Sequence, residues 1–267
     1  MDANFQSVKS ILRNFLTGSS TQKPGLKRTA LPFKSLLLPL AATALAVFCA
    51  PRTSPADYED ARKRMVESDI EARGIHDRAV LDAMLKVPRH LFVGPDYVKL
   101  AYSDSALPIK EDQTISQPYI VALMTASAEL GPDDKVLEVG TGSGYQAAVL
   151  GEIVREVYSI EIIETLAREA DELLDRLEYK NIRVRHGDGY RGWAEAAPFD
   201  VILITAAAPK IPQPLVDQLK LGGRLVMPLD NTRHAQELIV LTKTETGLEK
   251  RFVTGVVFVP MTGEVRE

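Results

Sequence analysis

Cysteine is almost absent. Cys49 is the single one, so no internal disulfide can form and no cysteine cluster can hold a metal. The four histidines, His76, His90, His186 and His234, are scattered, and none pairs with a cysteine or glutamate at a metal-ligand spacing, so no metal is expected. No Gly-x-Ser-x-Gly elbow occurs, which argues against a Ser-His-Asp hydrolase. No charge of one sign dominates: 32 basic side chains face 36 acidic ones, for a net charge of -4, and nothing suggests an electrostatic grip on nucleic acid. No apolar run reaches the roughly 20 residues of a comfortable membrane span. The chain shows no internal repeat and no low-complexity tract. What is left is a composition ordinary for a globular protein, 45% apolar and 25% charged over 267 residues.

Residues 1–56 differ from the rest. A polar, basic lead carries Lys9, Arg13, Lys23, Lys27 and Arg28, and an apolar stretch follows over residues 31–50. Its uninterrupted part, Leu36–Ala50, contains Pro39 and is short for a span. The layout is that of a signal peptide or anchor, with Ala44-Leu-Ala46 as a small-x-small cleavage site. A lipidated Cys49 would follow the bulky Phe48, which does not suit that processing. The alternative is an extension without a fold of its own.

The stretch around which the remainder is organised is Val136-Leu-Glu-Val-Gly-Thr-Gly-Ser-Gly-Tyr145. Val136, Leu137 and Val139 read as a buried strand, Gly140, Gly142 and Gly144 as a turn, and Tyr145 onward as a helix start. Such a strand–glycine–helix junction leaves backbone N–H groups free and lets a ligand approach the backbone closely. A dinucleotide fingerprint would need glycine at position 145, where Tyr145 stands. That weakens a nicotinamide oxidoreductase and leaves room for a smaller nucleotide-like ligand.

Upstream, Asp57–Arg73 reads as a helix with a narrow stripe of Met65, Val66 and Ile70, and Gly74 as its cap. Asp77 caps a second helix, Arg78–Lys86. Residues 89–113 lack periodicity. Pro118 suits the first position of a third helix running to about Leu130. Thr114 and Ser116 then lie beside the free N–H groups of Tyr119 and Ile120, a set that suits either ordinary capping or a bound carboxylate. Downstream, strands at 135–139, 156–160, 182–185, 199–204 and 224–228 alternate with helices, and strands 238–243 and 251–259 form a final hairpin around Thr246-Gly247. The fold class is therefore α/β, a doubly wound, mostly parallel sheet with a C-terminal antiparallel hairpin. Ligands in such sheets bind beyond the carboxyl ends of the strands, where Glu138, Glu161, Asp188 and Gly189 all fall. Glu161, about 20 residues past the glycine turn, suits ribose hydroxyls. Asp188 suits a base amino group or a plain turn, and Asp200 a strand start. Tyr190 and Trp193 read as packing.

Glu138-Val-Gly-Thr-Gly-Ser-Gly144 resembles motif I of S-adenosylmethionine-dependent methyltransferases. Asp112-Gln-Thr-Ile-Ser-Gln-Pro118, His186-Gly-Asp-Gly189 with Gly192-Trp193, Phe199-Asp-Val-Ile-Leu-Ile-Thr-Ala206 and the tail Phe258-Val-Pro260 with Gly263-Glu264 resemble the protein-L-isoaspartate O-methyltransferases. The likeness spans about residues 57–267. It implies a methyltransferase domain there, with a helical, substrate-side segment at 57–131 and a cofactor-binding α/β core at 132–267. It implies S-adenosylmethionine as cofactor and proteins or peptides carrying L-isoaspartyl residues as substrates. It makes Ser116 the active-site hydroxyl, with Thr114 beside it at the substrate carboxylate. Glu138, Gly140, Thr141 and Gly142 would line the methionine side of the cofactor, Glu161 would hold the ribose, and Asp188 with Gly189 would face the adenine. A carboxylate is already a nucleophile at neutral pH, so no strong base is required, and the task is placement. A monomer in the cytoplasm is expected, the alternative being export or anchoring through residues 31–50. A methyltransferase acting on another acceptor is the nearest rival reading.

Overall fold

The structure is a computed structural model that describes residues 55–230 and 235–266. The expectations for the N-terminal extension, including Cys49, and His234 lie outside the described residues. The described chain falls in a unit running from Pro51 to Glu267.

A seven-stranded sheet carries the fold, with strands in the order β5-β4-β3-β6-β7-β8-β9. They are β3 (Lys135–Val139), β4 (Glu156–Glu161), β5 (Ile182–His186), β6 (Phe199–Ile204), β7 (Leu219–Asp230), β8 (Gln236–Thr244) and β9 (Gly247–Val256). Strands β3 to β7 pair in parallel, and β7–β8 and β8–β9 are antiparallel. The chain moves outward from β3 through β4 to β5, then returns to place β6 on the other side of β3. The switch point therefore lies between β3 and β6, directly beyond Val139. This is where open α/β sheets hold ligands.

Alternation within the strands divides the core in two. Val136, Val201, Leu203, Val226, Leu238 and Val240 face one side. Leu137, Val139, Ile202, Ile204, Leu225, Met227, Ile239 and Leu241 face the other. Helices α2 (Arg78–Lys86), α3 (Pro118–Ser127), α4 (Tyr145–Gly151) and part of α5 (Glu164–Arg176) contribute to the first cluster. The second is covered by the short α6 (Gln213–Asp217) together with Tyr190, Trp193, Met261 and Val265. Both faces are buried, as the apolar strands required, and the second is covered by turns and a short helix. Trp193 packs edge-on to Tyr158 at 5.1 Å.

Two elements differ from the sequence pattern for visible reasons. The helix expected over 57–73 is α-helical only over Pro55–Arg64 (α1) and widens to a π-helical turn over Met65–Ile70. The Glu71 N–H reaches back five residues to the Val66 carbonyl, and this wider turn brings Met65, Val66 and Ile70 together into the core. Gly74 ends it at φ 94°. Helix α3 stops at Ser127, short of Leu130, because Glu129 turns to φ 51°. Asp77 caps α2, accepting from the Ala79 and Val80 N–H groups at 3.0 and 3.2 Å. Within residues 89–113 two short 3-10 turns lead to strand β1 (Leu107–Pro108), which pairs with β2 (Thr114–Ile115).

Leu137 lies at the centre of the sheet with no exposure. Leu137→Ala is expected to cost about 2–5 kcal/mol of unfolding free energy, read from the denaturant midpoint.

Candidate active site

A cavity of about 310 Å³ opens at the switch point. That volume lies within the range of small-ligand sites. Three stretches distant in sequence wall it: the glycine loop with Ile160–Ile163 and Gly189, the segment Gln113–Ser116, and the C-terminal run Val259–Thr262.

The loop's shape follows from its glycines. Gly140, Gly142 and Gly144 sit at φ 100°, 54° and 86°, a region that side chains other than glycine avoid. At Gly140 there is also no room, because a Cβ would run into the Thr205 hydroxyl. That hydroxyl donates to the Gly140 carbonyl at 2.6 Å. The Gly140 N–H donates to the Ile160 carbonyl at 2.8 Å, which stitches the loop to the end of β4.

Glu161 completes the stitch. Its Oε2 accepts from the Gly142 N–H at 2.8 Å and its Oε1 from the Ile163 N–H at 3.0 Å. Only 5% of it is exposed, yet it lies on the cavity wall. A carboxylate offers about four acceptor sites, so capacity for ligand hydroxyls remains after the two backbone bonds.

Two acids expected at the cofactor do not line this cavity. Glu138 is fully buried and absent from the cavity wall. The Ser159 hydroxyl donates to its Oε2 at 2.5 Å, and Thr141 and Ser159 share a hydrogen bond of 2.5 Å. Glu138 thus reaches the loop through two hydroxyls. Burial pushes its carboxyl up to about 8, against the lowering effect of Ser159, with Glu161 adding to the rise. Its Oε1 has no hydrogen-bond partner. Asp188 is likewise off the wall. Its Oδ1 accepts from the Tyr190 N–H at 2.9 Å and its Oδ2 from the Glu264 N–H at 2.8 Å. It therefore fastens the C-terminal segment beside Gly189, which does line the cavity. A side chain at Gly189 would meet Val139.

On the opposite wall stand Thr114, exposed, and Ser116, half-buried. The N–H of Tyr119 is not free as expected. Asp104 accepts it at 3.3 Å, and also accepts from Gln117 Nε2 at 2.6 Å and Arg73 Nη1 at 2.8 Å. A carboxylate does sit at the start of α3, but it belongs to the chain itself, as helix capping and the dipole favour.

The sequence model of the family Protein-L-isoaspartate(D-aspartate) O-methyltransferase matches residues 60–266. The chain belongs to the protein-L-isoaspartate O-methyltransferase family. Protein-L-isoaspartate O-methyltransferase 1 of Syntrophobacter fumaroxidans is 55% identical over 208 residues, covering 78% of this chain and 97% of the relative. The enzyme of Gloeobacter violaceus is 52% identical over 200 residues, covering 75% and 98%. A solved protein-L-isoaspartate O-methyltransferase superposes with a TM-score of 0.71 at 28% identity, covering 76% of this chain and 67% of that one. A beta-aspartate methyltransferase from Plasmodium falciparum, solved with S-adenosyl-L-homocysteine, gives 0.67 at 27% identity, covering 75% and 98%. Like its family, the chain is an S-adenosylmethionine-dependent enzyme that methylates the carboxylate of L-isoaspartyl residues.

The sequence reading missed Ser159, Thr205 and Asp104. Ser159 had a signal: it is a hydroxyl inside the otherwise apolar core of β4, flanked by Val157 and Ile160. Thr205, directly after the apolar β6, had a weaker one.

The pH dependence of stability follows from Glu138. Unfolded, this carboxyl loses its proton near its ordinary value of 4.5, while the folded protein keeps it up to about 8. The native state therefore holds more protons between those values, and stability contributed by this group falls as pH rises through that window. Glu138→Gln, which cannot ionise, is expected to flatten the fall, as checked by denaturant unfolding from pH 5 to pH 8.

Proposed function

We propose that Ser116 and Thr114 hold the isoaspartyl carboxylate while the glycine loop, Glu161 and Gly189 hold the cofactor. The observation that supports this reading most is that both sets open onto one cavity. The residues suit the cofactor. Gly140, Gly142 and Gly189 leave backbone exposed on one wall, and Glu161 offers a buried carboxylate to hydroxyls on the same wall. When bound, S-adenosylmethionine supplies an activated methyl on a sulfonium. The chain's own work is then placement. Ser116 donates to one carboxylate oxygen and Thr114 orients the group, without removing so much charge that the nucleophile is weakened. Glu161 fixes the loop and the segment leading into α5 together, so the cofactor side of the cavity keeps one shape. Val259–Thr262 cover the cavity and exclude water, which favours a step in which opposite charges are consumed. Glu138 acts through Ser159 and Thr141 on the loop, and Asp188 through the C-terminal segment.

The family match over residues 60–266 supports assigning the methyltransferase domain to 57–267, with 57–131 on the substrate side, 132–267 as the cofactor core, and 1–56 as an extension. We read the enzyme as a cytoplasmic monomer that needs neither metal nor nucleic acid. Export or anchoring through 31–50 is the rival location. Among the described residues no helix is long and apolar enough to cross a membrane.

The test is methyl transfer from labelled S-adenosylmethionine to a peptide with one L-isoaspartyl residue, beside its aspartyl twin. Base-labile label on the isoaspartyl peptide alone is expected. Ser116→Ala should lower kcat/KM about tenfold, the worth of one hydrogen bond to a charged group. Glu161→Ala should raise the cofactor Kd by about tenfold or more in titration calorimetry, with the bonds to Gly142 and the ligand both lost.

A further inference from the structure

Arg89 is fully buried, a rare and costly place for a guanidinium unless it is paired. Among the described residues no carboxylate comes within ion-pair distance of it. Its Nε donates to the Ala101 carbonyl and its Nη2 to the Ser116 carbonyl, both at 2.8 Å. Its third nitrogen, Nη1, has no hydrogen-bond partner. The guanidinium carbon lies 4.8 Å from the centre of the Tyr145 ring, the first residue of α4 after the glycine loop. The nearest acid to act on it, Asp104, is already paired with Arg73 at 2.8 Å. Burial therefore pulls the Arg89 pKa down, Tyr145 and Asp104 opposing only in part. So a charge without a carboxylate partner stands directly behind residue 116, between the substrate segment and the cofactor loop.

We infer that Arg89 is a positioning residue of the methyl transfer, whose unpaired charge draws the anionic isoaspartyl carboxylate to Ser116 and lets the uncharged ester leave. The inference rests on the assignment of the carboxylate to Ser116. The chemistry gives it direction. A buried cation attracts the substrate, which carries a negative carboxylate, and does not attract the product, in which the new O–CH3 bond has removed that charge. It contributes to ground-state attraction, and no equal gain arises as the charge disappears in the transition state. Loss of the charge therefore raises KM far more than it lowers kcat. The two carbonyl contacts have a separate role, fixing the 101 and 116 segments, and any side chain with a donor at this position can partly keep it.

The experiment separates charge from donor. Arg89→Gln keeps a donor without charge, and Arg89→Lys keeps both. For the full chain with an isoaspartyl peptide, Arg89→Gln is expected to raise KM about tenfold, with kcat within about threefold, and Arg89→Lys to bring KM back to within about threefold of the parent. The Kd for S-adenosylhomocysteine should stay unchanged in both. Equal KM values in the Gln and Lys variants, or a parallel rise in the S-adenosylhomocysteine Kd, would reduce Arg89 to a structural tie and overturn the inference. If Arg89→Gln does not fold, Arg89→Lys decides alone: KM near the parent supports the role, and a tenfold rise removes it. Ser116→Ala is measured beside them. A raised KM there with a normal one in Arg89→Gln overturns the role of Arg89 only. A Ser116→Ala enzyme indistinguishable from the parent overturns the carboxylate site, and with it this inference.

Discussion

The Glu161 carboxylate holds two backbone segments at once, and the site depends on that. One oxygen takes the N–H of Gly142 and the other that of Ile163. The glycine loop leaves β3 and the segment 161–163 leaves β4, so this one side chain sets the gap between neighbouring strand ends. Parallel strands give no hydrogen bonds beyond their last paired residues, and the cavity lies there. Without such a side chain the loop would be tied to the sheet only through Gly140 and Thr141, by the Ile160 carbonyl and the hydroxyls of Thr205 and Ser159, and Gly142 would hang free of β4.

Beneath the loop, rigidity comes from polar groups placed where apolar ones would pack more cheaply. Glu138, Ser159 and Thr141 form a buried chain of short hydrogen bonds across β3, β4 and the loop. A buried carboxylic acid can serve only while it stays neutral, and burial secures that here. The same network that costs stability as pH rises fixes the loop's distance from the sheet.

The fold was legible because its signals were repeated. Each apolar strand between helical stretches stated the parallel sheet, and the glycine triplet stated where the ligand belongs. Ser116, Thr114, Glu161, Gly140, Thr141, Gly142 and Gly189 do line one cavity, though their roles remain the proposal above. Glu138 and Asp188 stay off that wall for one physical reason. Chain position shows that an acid stands at a strand end, but not which way its carboxylate turns. Glu138 points into the sheet, toward the hydroxyl of Ser159. Asp188 turns to backbone N–H groups from as far as Glu264, 76 residues on. Asp104 was illegible for a similar reason, because it lies in an aperiodic loop and meets α3 only after folding. Strand β7 runs over Leu219–Asp230 where 224–228 was expected, because the pair Gly222-Gly223 sits within it, with a register shift against β6.

The distribution of charge fits the reaction. Of the described residues on the cavity wall, Glu161 is the charged one, and the rest are glycines, hydroxyls, amides and apolar groups. A base on that wall would have nothing to deprotonate, since an isoaspartyl carboxylate ionises unaided at neutral pH. A lysine or arginine in direct contact would bind the carboxylate tightly but would hold the charge that the reaction must consume. In the proposed site, hydroxyls at Thr114 and Ser116 would orient the group with weaker attraction, and Arg89 stands behind the Ser116 carbonyl. At that distance its field still favours an anion over an ester, but it makes no hydrogen bond that the transition state would have to break. Affinity and reactivity are thereby assigned to different groups, which a single contacting cation could not achieve.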